Sequence, residues 1–267
     1  MKSRTGRRKK DLRLEAVGKI IVVGCGSIGK RHLENLKTLA YQNLLACEPD
    51  RKNRQQINQE LGIECVDHFQ RVELNPNDVV FICTPNHLHV AQALLAAKAG
   101  CHLFIEKPLS HASAGIDELC EITSRLKLIT LVGCNMRFHP AIQYIKDCLD
   151  QKEIGKILAF RTEMGSYLPR WRLRADYRST YSAQKSQGGG VLLDMIHEMD
   201  YIRWFFGDPN KIFAFYGKVS HLEIDVEDVA ELILGFDNFV GSLHFDYFSQ
   251  YYIRTLSIIG EKGNLFW

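Results

Sequence analysis

"KIIVVGCGSIGKRHLENLKTLA" (residues 19–40) decides how this chain is read. Ile20–Val23 fit a short buried strand, Gly24, Gly26 and Gly29 follow in G-x-G-x-x-G spacing, and an amphipathic pattern from Ser27 predicts a helix. Each glycine has a task in that context. The first permits a tight turn, the second lets backbone approach a pyrophosphate, and the third lets helix pack on strand. Ser27 and Ile28 sit between them and belong to the same expected cofactor cradle. Glu48 falls 19 residues after Gly29, at the end of the next apolar run, "NLLACE". A carboxylate there accepts ribose hydroxyls and repels a 2′-phosphate, so NAD is expected rather than NADP. Arg51, Lys52 and Arg54 lie close by and moderate that preference; Arg51 is counted with the cofactor site.

Further apolar runs, "DVVFICTP" (78–85), "CHLFIE" (101–106) and "LITLVGC" (128–134), alternate with helical patterns at 51–62, 88–100 and 113–126. This alternation predicts a parallel sheet with helices on both faces, an α/β fold. Ligands bind beyond the carboxyl ends of such strands. Three of those ends are "GCGSIG", "CTPNHLH" and "EKP", which assigns Thr84, Pro85, Asn86, His89, Glu106 and Lys107 to the cofactor crevice. Lysine is rarely buried, so Lys107, where the strand in "LFIEKPLS" (103–110) ends, belongs at that crevice and not in the core.

The second half reads differently. A helix starts at Pro140, and "ILAFRTEMGSYL" (157–168) reads as a strand. "KIFAFYGKV" (211–219), "VAELILGF" (229–236), "FVGSLHFDYF" (239–248) and "IRTLSIIG" (253–260) read as strands of a meander. "SQGGGVLLDMIHEMDYIRWFFGD" (186–208) is a glycine turn feeding one helix over 190–206. At about 100° per residue, Leu192, Met195, Ile196, Met199, Ile202 and Phe206 face the sheet, and Asp194, His197 and Tyr201 form the opposite stripe. "YLPRWRLRADYRSTYSAQ" (167–184) groups Arg170, Arg172, Arg174 and Arg178 with Trp171, Tyr177 and Tyr181. Guanidinium forks and rings suit an anionic sugar or diphosphate; a solvated basic loop or subunit contact is the alternative.

Bulk properties set limits. A chain of 267 residues, 46% hydrophobic and 24% charged, suits one large or two smaller soluble domains. The net charge of +3 misleads, because residues 1–19 carry eight Lys/Arg against Asp11 and Glu15 and leave −3 on the rest. The body is therefore no nucleic-acid binder by charge. No apolar run is long enough to span a membrane, and the basic N-terminus lacks the apolar region of a secretory signal. Eight scattered cysteines without a C-x-x-C pair read as packed, reduced thiols in a cytoplasmic protein, with no metal-ligand spacing among them.

"GCGSIGKRHL", "CTPNHLH", "FIEKPLS", "RFHP" and "GGGVLLDMIHEMDYIRWFFG", in that order, resemble the Gfo/Idh/MocA oxidoreductases over about residues 19–267. The resemblance implies a Rossmann domain at 19–134 and, at 135–267, a C-terminal α/β domain with a large, mostly antiparallel sheet. The basic segment 1–18 is then an unstructured tail. It implies reversible hydride transfer between NAD(P) and a carbinol of a sugar, nucleotide sugar or cyclitol. In such a site Lys107 touches the substrate hydroxyl, where a fixed ammonium stabilises a developing alkoxide. His197 and Asp194 meet the substrate beside it. His197, with an ordinary pKa near ~6.5, is the proton acceptor, and Asp194 its orienter or a hydroxyl ligand. Arg137 of "RFHP" joins Trp171, Arg172 and Tyr177 on the substrate side.

Two departures stand out. The usual D-x-G-x-H is one residue shorter here, Asp194-Met195-Ile196-His197, a form that with "DYRSTYSAQKSQGGG" resembles a subgroup associated with bacterial surface-sugar biosynthesis. Family members also run several tens of residues beyond "SIIGEKGNLFW", so the second domain reads as shortened. Apolar residues at both alternation phases of "VAELILGF" and "FVGSLHFDYF" make the open sheet face a candidate subunit interface, in a homodimer or tetramer. The alternative function, of a different class, is a dinucleotide-binding sensor or scaffold without turnover.

Overall fold

β1 (Ile20–Val23) is buried at all four positions, as an apolar run without alternation requires when both faces of its sheet are covered. The structure is a computed structural model that describes residues 18–173 and 175–267. The expected tail up to residue 17 and Arg174 lie outside the described residues. β1 lies between β2 (Leu44–Cys47) and β4 (Val79–Ile82). β3 (Glu64–Val66), β5 (His102–Ile105) and β6 (Thr130–Val132) complete a six-stranded parallel sheet in the order β3-β2-β1-β4-β5-β6. The winding reverses between β1 and β4, so the loops leaving them diverge and open a crevice.

Helices α1 (Ser27–Thr38) and α2 (Arg51–Leu61) cover one face, packing Leu33, Leu36 and Ile57 on Ile20, Val22 and Ala46. α3 (His89–Lys98) and α4 (Ile116–Arg125) cover the other, with Ala93, Ala96, Leu119 and Ile122 against Ile21, Val80 and Leu103. α2 shows its local encoding at both ends. The Asp50 carboxylate accepts from the Asn53 N–H at 2.8 Å, and Gly62 takes the left-handed conformation just past the last turn. β3 escapes periodicity because it is three residues long with Glu64 exposed.

The second unit starts with α5 (Pro140–Asp150). Its sheet holds β7 (Ile157–Gly165), β8 (Lys211–Gly217), β9 (Val229–Gly235), β10 (Val240–Asp246), β11 (Ile253–Gly260) and β12 (Asn264–Phe266), ordered β12-β11-β7-β10-β9-β8. β8, β9 and β10 form the expected meander, with Asp237-Asn238 turning between the last two. β11 does not continue it. β7, with Phe160, Thr162 and Met164 buried, takes the centre and pairs parallel with β10 and antiparallel with β11. The sheet is thus mixed, mostly antiparallel.

The single helix expected over 190–206 is two: α6 (Val191–Asp194) and α7 (Ile196–Phe206), broken at Met195 (φ −91°, ψ 23°). A projection carried across that break fails for Tyr201. Instead of facing the crevice it is fully buried in the second core, its hydroxyl 2.9 Å from Thr162 Oγ1. Among the described residues no helix is long and apolar enough to cross a membrane.

Candidate active site

The carboxyl ends of β1, β4 and β5 converge on a cleft of about 530 Å³, closed on its other side by Arg172, Tyr181 and His197 from the second unit. Gly24 turns the chain out of β1 at φ +83°, where a side chain would strike the Cys83–Thr84 backbone. A Cβ on Gly29 would lie 2.0 Å from the Gly24 carbonyl oxygen, whereas one on Gly26 would meet nothing within 4 Å. The open space at Gly26, at the N-terminus of α1, is the cradle a pyrophosphate requires. Ser27 and Ile28 line it, with Gly24 and Gly26.

Glu48 is buried beside this turn. Its Oε2 accepts from the Cys25 N–H at 2.8 Å and its Oε1 from the Asp50 N–H at 2.9 Å. A carboxylate offers about four acceptor positions, so lone pairs remain for a ligand. Arg54 donates to the Glu48 and Pro49 carbonyls (2.8 and 2.6 Å), and Arg51 lies on the exposed start of α2, outside the cleft lining.

At the end of β4, Thr84, Pro85 and Asn86 line the cleft. The Asn86 side-chain amide also donates to the Gly188 carbonyl at 2.8 Å, tying the two units together. His89 is a correction. It is fully buried, with Nδ1 2.8 Å from the Pro108 carbonyl and Nε2 2.7 Å from the Thr84 carbonyl, so its ring lies between two loops, donating to one of the carbonyls when neutral, and does not line the cleft. Burial in the first place holds this imidazole below its ordinary pKa.

The Lys107–Pro108 bond is cis. Lys107 Nζ donates to the main-chain carbonyl of Asp194 at 3.0 Å, across from the second unit. The helix break makes that carbonyl reachable. In an unbroken helix the Glu198 N–H would take it; here that N–H turns to Met195 O at 3.3 Å. Glu106 does not hold the lysine ammonium. Its Oε1 is 2.7 Å from His32 Nε2, and its Oε2 accepts the Lys107 N–H at 3.2 Å. Burial opposes its charge, but the His32 contact and Lys107 outweigh burial and hold the carboxyl below its usual range.

His197 lines the cleft with Nδ1 shut away from solvent and unpartnered among the described residues. Burial, then the charges of Lys107 and Arg254, push its pKa down to about 4. The Asp194 carboxylate lies outside the cleft lining, accepting from the Tyr247 hydroxyl at 2.7 Å. Tyr247 gave no sequence signal, since an aromatic at a strand end is ordinary core material. The other expected substrate contacts separate. Arg172 lines the cleft. Arg137 forks onto Asp200 (2.8 and 2.7 Å), Trp171 donates to Ser166 Oγ at 2.9 Å, and the Tyr177 hydroxyl accepts the Glu223 N–H at 3.1 Å. None of these three lines the cleft. Gly133 and Asn135 do, at the end of β6, as do Asp67 and Phe69 after β3. The strand-end rule would have found the first pair; the second follows a strand too short to read.

Residues 18–134 match the oxidoreductase family with an NAD-binding Rossmann fold, and residues 142–266 match the Gfo/Idh/MocA C-terminal domain. The chain is 31% identical over 260 residues to myo-inositol 2-dehydrogenase of Thermotoga maritima, covering 93% of this chain and 74% of that one. It is 31% identical over 211 residues to levoglucosan dehydrogenase of Pseudarthrobacter phenanthrenivorans, covering 72% of this chain but only 52% of that one. The WlbA dehydrogenase of Bordetella pertussis, solved with NADH and UDP-GlcNAcA, superposes with a TM-score of 0.81 at 20% identity, covering 93% of this chain and 78% of that one. At that identity the likeness is one of fold, and the surface-sugar subgroup is not singled out. With both halves matched in order, the chain belongs to the Gfo/Idh/MocA oxidoreductases, NAD(P)-dependent dehydrogenases of sugars and inositols.

Proposed function

We propose that this chain transfers hydride between NAD and a carbinol of a sugar, nucleotide sugar or cyclitol, at the end of the cleft where Lys107 and His197 sit. The observation that carries the reading is the Lys107 ammonium, fixed 3.0 Å from the Asp194 carbonyl in a cleft it shares with His197. The Gly24–Gly29 turn, Glu48, Thr84 and Pro85 would hold the dinucleotide, whose nicotinamide supplies the hydride acceptor when bound. Lys107 stabilises charge developing on the substrate oxygen. His197, neutral above about pH 4, accepts the hydroxyl proton at Nε2, since Nδ1 is enclosed. Asp194 acts as a positioning residue, through its carbonyl on Lys107 and its carboxylate on Tyr247.

NAD is favoured over NADP because the free lone pairs of Glu48 suit ribose hydroxyls, and because Arg54 is spent on main-chain carbonyls. Free thiols at all eight cysteines fit a reducing, cytoplasmic setting, and the outer face of the second sheet fits a second copy of the chain. NADH absorbance measured over aldoses, inositols and UDP-sugars tests the reaction. Reduction of NAD with at least one substrate, slower with NADP, is expected. No reduction with any of them counts against hydride transfer, and faster reduction of NADP counts against the role of Glu48.

A further inference from the structure

The end of the cleft lined by Lys107 and Arg172 holds two cationic side chains and one carboxylate, Glu106. Three arginines outside the cleft lining are committed elsewhere. Arg137 is forked onto Asp200, and Arg178 is held between Asp176 and Glu223. Arg170 donates to the Gln250 carbonyl at 2.7 Å and lies over the Tyr167 ring. Arg172 differs. It lines the cleft with its guanidinium 5.6 Å from the Tyr181 ring centroid. No carboxylate among the described residues lies within 4.0 Å of it, and no acceptor there takes a hydrogen bond from it. Tyr181 lines the same cleft, so the ring braces the guanidinium and leaves its donors available.

One carboxylate, Glu106, lines this end beside Lys107 and offsets one of the two cations; the others are remote. Glu106 is bonded to His32 and to the Lys107 amide. Asp194 is outside the lining with its carboxylate on Tyr247. Glu48 and Asp67 follow β2 and β3, on the far side of the sheet's switch point from Lys107. A neutral polyol presents hydroxyls, which need acceptors as well as donors, and ionised carboxylates are the strongest acceptors a protein has. Guanidinium and ammonium groups only donate.

We propose that the substrate is an anionic sugar, whose carboxylate or phosphate is taken by Arg172 while its carbinol meets Lys107 and His197. The proposal rests on the hydride-transfer reading for the reacting end and adds the substrate class. Bidentate pairing of a guanidinium with either anion supplies both affinity and orientation.

Calorimetric titration of the NADH-saturated protein with D-glucose, myo-inositol, D-glucuronate and D-glucose 6-phosphate tests it. At least one acid is expected to bind about tenfold or more tighter than glucose, and which one does so distinguishes carboxylate from phosphate. Arg172→Met should weaken that acid about ten- to a hundredfold, the range for hydrogen bonds to charged groups. It should leave glucose and NADH affinities unchanged, and Arg172→Lys should recover part of the loss. Neutral sugars binding as tightly as both acids, or neither acid binding at millimolar concentration, overturns the proposal. So does a loss of NADH affinity in Arg172→Met, which would make this arginine a clamp on the dinucleotide. If acids bind through Arg172 but no NADH forms from NAD, hydride transfer fails and the anion site stands.

Discussion

In the proposed reaction Lys107 and His197 divide the work between an ammonium and a neutral imidazole. The lysine would bring charge to the substrate oxygen, and the imidazole stays neutral because burial and two neighbouring cations oppose its protonation. Lys107→Met should lower turnover by about 10²–10³-fold, as for loss of an oxyanion donor, while dinucleotide affinity by fluorescence titration stays near that of the unaltered protein. Retained turnover would remove this lysine from the chemistry. The His197 shift has two consequences. The acidic limb of sugar oxidation should centre near pH 4, well below the ~6.5 of an unperturbed imidazole, and His197→Asn should abolish that limb. The unfolded chain takes up a proton at this residue as pH falls below ~6.5, whereas the folded chain resists until about pH 4. Folding therefore loses stability over that window. Thermal unfolding should show the Tm of the unaltered protein falling more between those pH values than that of His197→Asn; parallel curves would contradict the shift.

At the scale of elements, the glycine turn and the α6–α7 break shape the cleft and place the groups proposed to react. The three glycines of the turn separate into distinct constraints, and substitution distinguishes them. Gly26→Ala adds a methyl to open space at a negative φ, so thermal stability should hold while NADH binding weakens. Gly29→Ala drives a methyl onto the Gly24 carbonyl and should destabilise folding by about 1–3 kcal/mol, as overpacking does. Equal losses of Tm in both would show that Gly26 is not reserved for a ligand. The break at Met195 does for the second unit what the turn does for the first. It frees the Asp194 carbonyl for Lys107 and lets α7 turn His197 to the cleft while Tyr201 enters the core.

Over the whole molecule, the second sheet has one face under α5–α7 and one face open. Phe213 and Phe215 on β8, Ile233 on β9, Val240 on β10 and Ile259 on β11 are all exposed, a larger apolar surface than a monomer usually leaves in water. Light scattering should find a dimer or larger at micromolar concentration, and Phe213→Lys with Ile233→Lys should shift it toward monomer. A clean monomer from the unaltered chain would contradict the interface. His244 lies on the same strands, between Glu231 and Asp246. The hydrogen bond to Asp246, then Glu231, outweighs burial and raises its pKa to about 9. A charged imidazole between two carboxylates, with Arg161 bonded to Ser242 on the same face, gives that surface a polar centre.

The sequence alone determined whatever depends on near neighbours in the chain. The apolar runs, the glycine spacing, the Asp50 and Gly62 helix ends and the placing of Lys107 at a strand terminus are local, because strand burial, turn conformation and capping are set within a few residues. Five ordered motifs then named the family. Tertiary structure decided everything that requires two distant segments to meet. β7 came between β10 and β11, where the backbone groups of both its edges find partners that periodicity does not assign. His89 left the cofactor site because two carbonyls from separate loops converge on its ring. Among the described residues Arg137 and Arg178 are paired with carboxylates and Arg172 is not, a difference that only folding shows. Composition counts charges; neutralisation depends on distances of a few ångströms, and those are set by packing.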